Sequence, residues 1–178
     1  METQQKAATG EADESQFVSF EIGASTFLIP IAKVVEFRTW SEPTPVPHTP
    51  DFVRGIINIR GEIVPIYDVA ARLGRGTTAA QARHVVVIVR SEDARSVGLL
   101  VDSVTDIVNA RSADMASIPR IEGGDATPFM RGVVFVAERI LGVTDVDRLV
   151  QETLPDGALE APPALASPAT TSAVPQDA

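Results

Sequence analysis

The chain has 178 residues, 44% hydrophobic and 22% charged, with a net charge of −9. That composition suits a globular protein rather than a disordered one, and the sign of the charge opposes non-specific binding to nucleic acid or anionic lipid. There is no cysteine, so disulfides and thiolate chemistry are excluded.

No apolar run approaches the ~18–20 residues that span a bilayer. Residues 1–15 are polar and lack an apolar signal core, so a cytosolic location is expected. Aromatic content is 5%, too little for base-stacking platforms on single-stranded nucleic acid. Three regions separate by composition: a polar arm at 1–15, a folded part at 16–151, and an Ala/Pro-rich tail at 152–178. Arm and tail hold too little apolar surface to offset their ordering entropy and are expected to be disordered.

β-signals dominate the folded part. Residues 17–22 place apolar side chains at every second position, with Val18 extra; Gly23-Ala24-Ser25 is a turn, and 27–29 completes a hairpin. Residues 31–36 follow as a short helical candidate. The stretch from Trp40 to Pro50 has prolines at 43, 45, 47 and 50 and is expected to be a stiff, extended connector. Trp40 fits either a core position or an interface anchor. Residues 55–59 and 63–66 form a second hairpin around Arg60-Gly61-Glu62, and 69–73 is helical. A third hairpin joins 84–90 to 97–101, 102–106 is helical, a fourth hairpin joins 132–136 to 140–143, and 146–150 is helical. Asp68 and Asp145 precede two of these helices, where a carboxylate caps the first free N–H groups for about 1 kcal/mol.

The sequence also repeats. At a displacement of 70 residues, Phe27, Ile29, Ile31, Val34, Glu36 and Phe37 meet Val97, Leu99, Val101, Val104, Asp106 and Ile107. At 77 residues, Gly55-Ile56-Ile57 meets Gly132-Val133-Val134, Ile63-Val64 meets Ile140-Leu141, and Asp68-Val69 meets Asp145-Val146. Two β-rich units, 16–76 and 83–151, are therefore expected. Units with so little helix close most readily into small barrels, although short apolar strands also suit one sandwich. The repeat sets Asn58, Arg60 and Gly61 apart, because the second copy has no counterpart of them.

Catalytic patterns are missing. His48 and His84 stand in no metal-ligand spacing, and no GxSxG, GxxxxGK[ST] or GxGxxG run occurs. No cofactor and no metal are expected. Arg60 has two readings. It is either a solvated residue of a hairpin turn in which Gly61 supplies positive φ, or a guanidinium held as an interface anchor, with Glu36 a candidate internal partner.

Several ordered segments point to a family. They are residues 17–37, the loop Pro45-Val46-Pro47-His48-Thr49-Pro50-Asp51-Phe52-Val53-Arg54-Gly55, the run Ile56-Ile57-Asn58-Ile59-Arg60-Gly61-Glu62-Ile63-Val64-Pro65-Ile66-Tyr67-Asp68, and residues 97–107. Together they resemble the CheW-like domain over nearly all of 16–151. The most specific part is Gly-x-x-Asn-x-Arg-Gly-x-x-x-Pro-x-x-Asp after a Pro-rich loop.

The resemblance implies a mainly β fold of two five-stranded SH3-like barrels with a few short helices. It implies a non-enzymatic adaptor that joins the cytoplasmic tip of methyl-accepting chemotaxis receptors to the regulatory domain of the histidine kinase CheA. The receptor tip would lie in a groove between the barrels. The receptor-binding positions would be Val34, Glu36, Gly55, Asn58, Arg60 and Gly61, with Glu36 and Arg60 paired. Such a protein binds no nucleic acid, does not insert into the membrane, and is recruited to receptor arrays at its inner face. Departures from the pattern are Ile59 where Leu is commoner, Tyr67 in a usually aliphatic strand, and the tail.

The same domain is found in CheV beside a receiver domain and in CheA itself, and this chain lacks the length for either. Two alternatives stand beside chemotaxis: an adaptor of a non-flagellar pathway such as surface motility or biofilm signalling, and a small-ligand-binding enzyme on a double barrel.

Overall fold

The computed structural model describes residues 14–118, 127–136 and 138–151. The tail at 152–178 lies outside them, as does the arm up to residue 13. Glu14 and Ser15 belong to the first strand instead.

Among the described residues, eleven strands and two short α-helices follow in chain order: β1 Glu14–Ile22, β2 Ser25–Pro30, β3 Val34–Thr39, β4 Val53–Ile59, β5 Glu62–Asp68, α1 Val69–Arg72, β6 Val85–Arg90, β7 Ser96–Val101, β8 Ser103–Arg111, β9 Met115–Ala116, β10 Met130–Val136, β11 Arg139–Thr144 and α2 Val146–Val150. The expected capping is present. Asp68 accepts from the Ala71 N–H at 3.2 Å and Asp145 from the Arg148 N–H at 3.1 Å.

Two expected helices are strands. Of 31–36, only Ile31–Lys33 makes a 3-10 turn, and Val34 onwards pairs antiparallel with β6. Residues 103–106 open β8, which pairs with β1. In both places β-branched and aromatic residues suit a pleated ladder better than a helix, where their χ1 freedom is lost.

The strands form one sheet in the order β8-β1-β2-β11-β10-β9 and another in the order β3-β6-β7-β5-β4. These are the two small barrels of a mainly β fold. The repeat explains the orders. Displaced by the repeat, β3, β4 and β5 correspond to β8, β10 and β11, while β1 and β2 correspond to β6 and β7. One sheet order then maps onto the other, and both contain a parallel join, β2 to β11 and β7 to β5. The two sequence copies do not each fold on themselves. Each sheet takes its central hairpin from the other copy, so each copy contributes to both sheets.

Exchange puts the hairpins β1–β2 and β6–β7 between two cores. Leu28 faces the interior of the first barrel with Phe17, Val134, Leu141 and Val143. Val86 and Ile88 face the interior of the second with Val64, Ile66 and Leu100. The opposite faces meet each other: Phe20, Phe27 and Ile29 join Val87, Val89 and Leu99 in a cluster that also receives both helices. A strand buried on both faces reads as an unbroken apolar run, which is why 85–89 is Val-Val-Val-Ile-Val.

A polar clamp crosses the same boundary. Asp147 of α2 accepts from Lys33 Nζ at 2.9 Å and from the Glu92 N–H at 2.8 Å. Burial pushes its carboxyl upward, but Lys33, the Glu92 N–H and the charge of Arg131 outweigh that and hold it below the usual carboxylate value.

Candidate functional site

The hairpin β4–β5 turns through two residues, Arg60 and Gly61, between the paired Ile59 and Glu62. Their φ angles are 53° and 90°, as a tight hairpin turn of this twist requires. Gly61 accepts that conformation freely, whereas Arg60 pays roughly 1–2 kcal/mol for a Cβ in left-handed backbone. Asn58 supports the turn, its Oδ1 accepting from the Gly61 N–H at 2.9 Å. Asn58 and Gly61 therefore build the platform on which Arg60 is raised.

The Arg60 guanidinium reaches back across the barrel. Its Nη2 lies 3.3 Å from Glu36 Oε2. Since β3 and β4 are opposite ends of the sheet order, this pair spans the seam where the sheet curls round on itself. The Arg60 side chain is 84% exposed and that of Glu36 24%, so the pair stabilises the fold by no more than about 1 kcal/mol. Sequence reasoning missed a third member: Arg38 Nη1 donates to Glu36 Oε1 at 3.1 Å.

Gly55 is placed elsewhere. Its φ is 137°, and an added Cβ would run into the Thr44 carbonyl. Thr44 exchanges backbone hydrogen bonds with Ile56 at 2.8 and 2.9 Å, so Gly55 seats the Pro-rich connector against β4. Trp40, at the start of that connector, is partly buried against the core of the second barrel, with the Arg54 guanidinium 5.8 Å from its ring centre.

Val34 lines a groove of about 420 Å³ between β3 and β8. Its walls are Val34, Val35 and Phe37 on one side and Val104, Thr105, Asp106 and Ile107 on the other, with Val18 and Ile31 completing the lining. Val35, Phe37 and Ile107 are exposed, Ile107 at 55%. Exposed apolar side chains gathered in a groove mark a surface for a partner. Glu36 and Arg38 lie opposite Ile88 and Val86 of β6, so the Arg–Glu–Arg cluster stands on the second barrel's side of β3 and not among the groove's lining residues. Apart from Val34, nothing in the sequence marks these apolar residues as one site, because only the fold brings β3 and β8 together. Among the described residues, no group of three or more His, Asp or Glu side chains could hold a metal ion.

A family profile described as CheW-like domain matches residues 16–154. The chain belongs to the CheW family. "Chemotaxis protein CheW" of Rhizobium meliloti (strain 1021) is 36% identical over 132 residues, covering 74% of this chain and 84% of that protein. "Protein FrzA" of Myxococcus xanthus is 30% identical over 132 residues, covering 73% and 74%. The crystal structure of scaffolding protein TtCheW from Thermoanaerobacter tengcongensis matches with a TM-score of 0.71 at 26% identity, over 77% of this chain and 92% of that one. CheW proteins are non-catalytic scaffolds, and this chain is a CheW-type coupling protein of chemotaxis. Among the described residues, no helix is long and apolar enough to cross a membrane.

Proposed function

We propose that the protein couples methyl-accepting chemotaxis receptors to the histidine kinase CheA, and that the receptor's helical tip lies in the groove between β3 and β8. The carrying observation is the exposed apolar lining of that groove. Val34 and Ile107 supply apolar contact, and Glu36 and Arg60 supply polar contact. Asn58, Gly61 and Gly55 act through backbone placement. The regulatory domain of CheA takes a different surface, and the protein gathers with receptors in arrays at the inner face of the membrane.

Signal passes when receptor states differ in affinity for the groove, since only a difference between states can shift the kinase equilibrium. Mixing the protein with receptor-bearing membranes and kinase, then measuring pelleting and ATP turnover, tests this reading. Pelleting with receptor-dependent turnover supports it, and absence of both removes it. A non-flagellar receptor–kinase pathway is the second reading. The two part on which receptor pellets the protein.

A further inference from the structure

A cavity of about 390 Å³ opens where the end of β1, the segment after α1 and the residues flanking β6 and β7 meet. Its walls include Ile22, Arg75, Thr77, Arg83, His84 and Asp102. The volume falls within the roughly 300–1,000 Å³ of small-molecule sites. The walls are pinned. Buried Asp68 accepts from the Thr78 N–H at 2.7 Å and the Thr78 hydroxyl at 2.8 Å, which ties down the segment after α1. Arg75 Nη1 donates to Ser25 Oγ at 2.8 Å and to the Ile22 carbonyl at 3.3 Å. Asp102 Oδ2 accepts from the Gly23 N–H at 2.6 Å. Three groups in these walls are left with something to give. Arg75 bonds only to neutral oxygens, and Arg83 makes no ion pair or hydrogen bond among the described residues. His84 is 4% exposed. Its Nδ1 takes the Gln81 N–H at 2.8 Å, nearer than the Gln81 carbonyl at 3.1 Å, so the neutral ring carries its proton on Nε2. Nε2 faces Asp102 Oδ1 at 3.8 Å, beyond hydrogen-bond reach. It is a buried donor of the kind that native structures satisfy.

The geometry points to a phosphate site: a phosphate ion or a small molecule's phosphoryl group, held by Arg75, Arg83 and the Nε2–H of His84. Guanidiniums suit phosphate oxygens in charge and in hydrogen-bond geometry. The chain carries a net charge of −9, so two guanidiniums without an acid partner in one cavity depart from its general character. Asp102 is the selective element. An ionised carboxylate only accepts hydrogen bonds. It repels an oxyanion that has no proton and accepts the O–H of one that has. Inorganic phosphate keeps a proton near neutral pH and sulfate keeps none, so the cavity takes phosphate and refuses sulfate. A phosphomonoester, with its second pKa near ~6, enters as the monoanion. β1 belongs to the first barrel's sheet, and His84 leads into β6 of the second. A bound phosphate therefore joins the two barrels and stabilises the folded chain by mass action. None of this depends on the receptor-groove reading.

The test is titration calorimetry of the full chain, purified without phosphate, against inorganic phosphate and against sulfate at matched ionic strength. Saturable phosphate binding is expected, with sulfate about tenfold weaker or worse and a melting temperature raised by phosphate alone. Arg83→Gln disturbs no bond among the described residues and should weaken phosphate binding about tenfold or more. Asp102→Asn, whose amide can donate to an unprotonated oxyanion, should admit sulfate. Glycerol phosphate separates the two sources. Tighter binding than inorganic phosphate assigns the site to a phosphoryl group on a carrier, and weaker binding assigns it to the free ion. Absence of saturable phosphate binding, equal binding of phosphate and sulfate by the wild type, or unchanged phosphate affinity in Arg83→Gln overturns the inference. Continued refusal of sulfate by a folded Asp102→Asn chain overturns the role given to Asp102.

Discussion

Replacing Arg60 by alanine and by glycine separates its binding role from its structural one. Alanine keeps the strained left-handed backbone at φ 53° and removes the 3.3 Å pair with Glu36. The guanidinium is 84% exposed, so screening limits the loss to about 1 kcal/mol or less. For a chain of 178 residues that lowers the melting temperature by no more than roughly 2–4 °C. Glycine also removes the pair but relieves roughly 1–2 kcal/mol of backbone strain, so it should melt at or above the wild type and several degrees above the alanine variant. Binding should move the other way. An arginine anchor contributes about 2 kcal/mol or more, so both variants should bind a receptor fragment about 30-fold more weakly or worse. Thermal denaturation followed by circular dichroism, beside titration calorimetry, reads both quantities. Global unfolding of the alanine variant would make Arg60 structural, and unchanged binding by both variants would reduce it to a solvated turn residue.

Other consequences follow from burial and charge. Ile107→Asp should abolish receptor binding and shift the melting temperature by only a degree or two, because Ile107 is 55% exposed; pelleting and thermal melts check both halves. Gly55→Ala should destabilise the protein by more than about 1 kcal/mol and displace the connector, because the new methyl meets the Thr44 carbonyl; an amide spectrum with Thr44 and Ile56 unmoved would contradict that. Asp147, whose folded carboxyl lies below the ordinary value, contributes stability that is complete above the unfolded pKa near 4 and is lost as pH falls through the lower folded value. Asp147→Asn should therefore flatten the acid limb of the stability curve, and an unchanged limb measured by urea unfolding from pH 6 to pH 2 would refute the clamp.

Much of the fold was readable because its signals are local. Alternation at 17–22, the Gly61 turn and the two capping aspartates each need only a few neighbouring residues to act. The exchange of central hairpins was not readable: a repeat tells which segments are alike, not which of them pair. The same limit explains β3 and β8. Val34-Val35-Glu36-Phe37 breaks the period of two by which a half-covered strand is recognised, because a register shift between Val34 and Glu36 lets Val34, Val35 and Phe37 all line one groove. Arg60 stood out because its copy lacked it. Arg38 did not, because its contact with Glu36 two residues away gains a third member only when the closed barrel brings Arg60 onto the same carboxylate.

The groove itself is the central claim, and the absence of cysteine makes it directly addressable. A single photo-cross-linking label can be placed on Ile107→Cys, on Phe37→Cys, or on Phe135→Cys of the β10–β11 hairpin, where Phe135 is 57% exposed but does not line the groove. With receptor-bearing membranes and no kinase, the account predicts cross-links to the receptor tip from positions 37 and 107 and none from 135. Cross-links from 135 with none from 37 and 107 would contradict it.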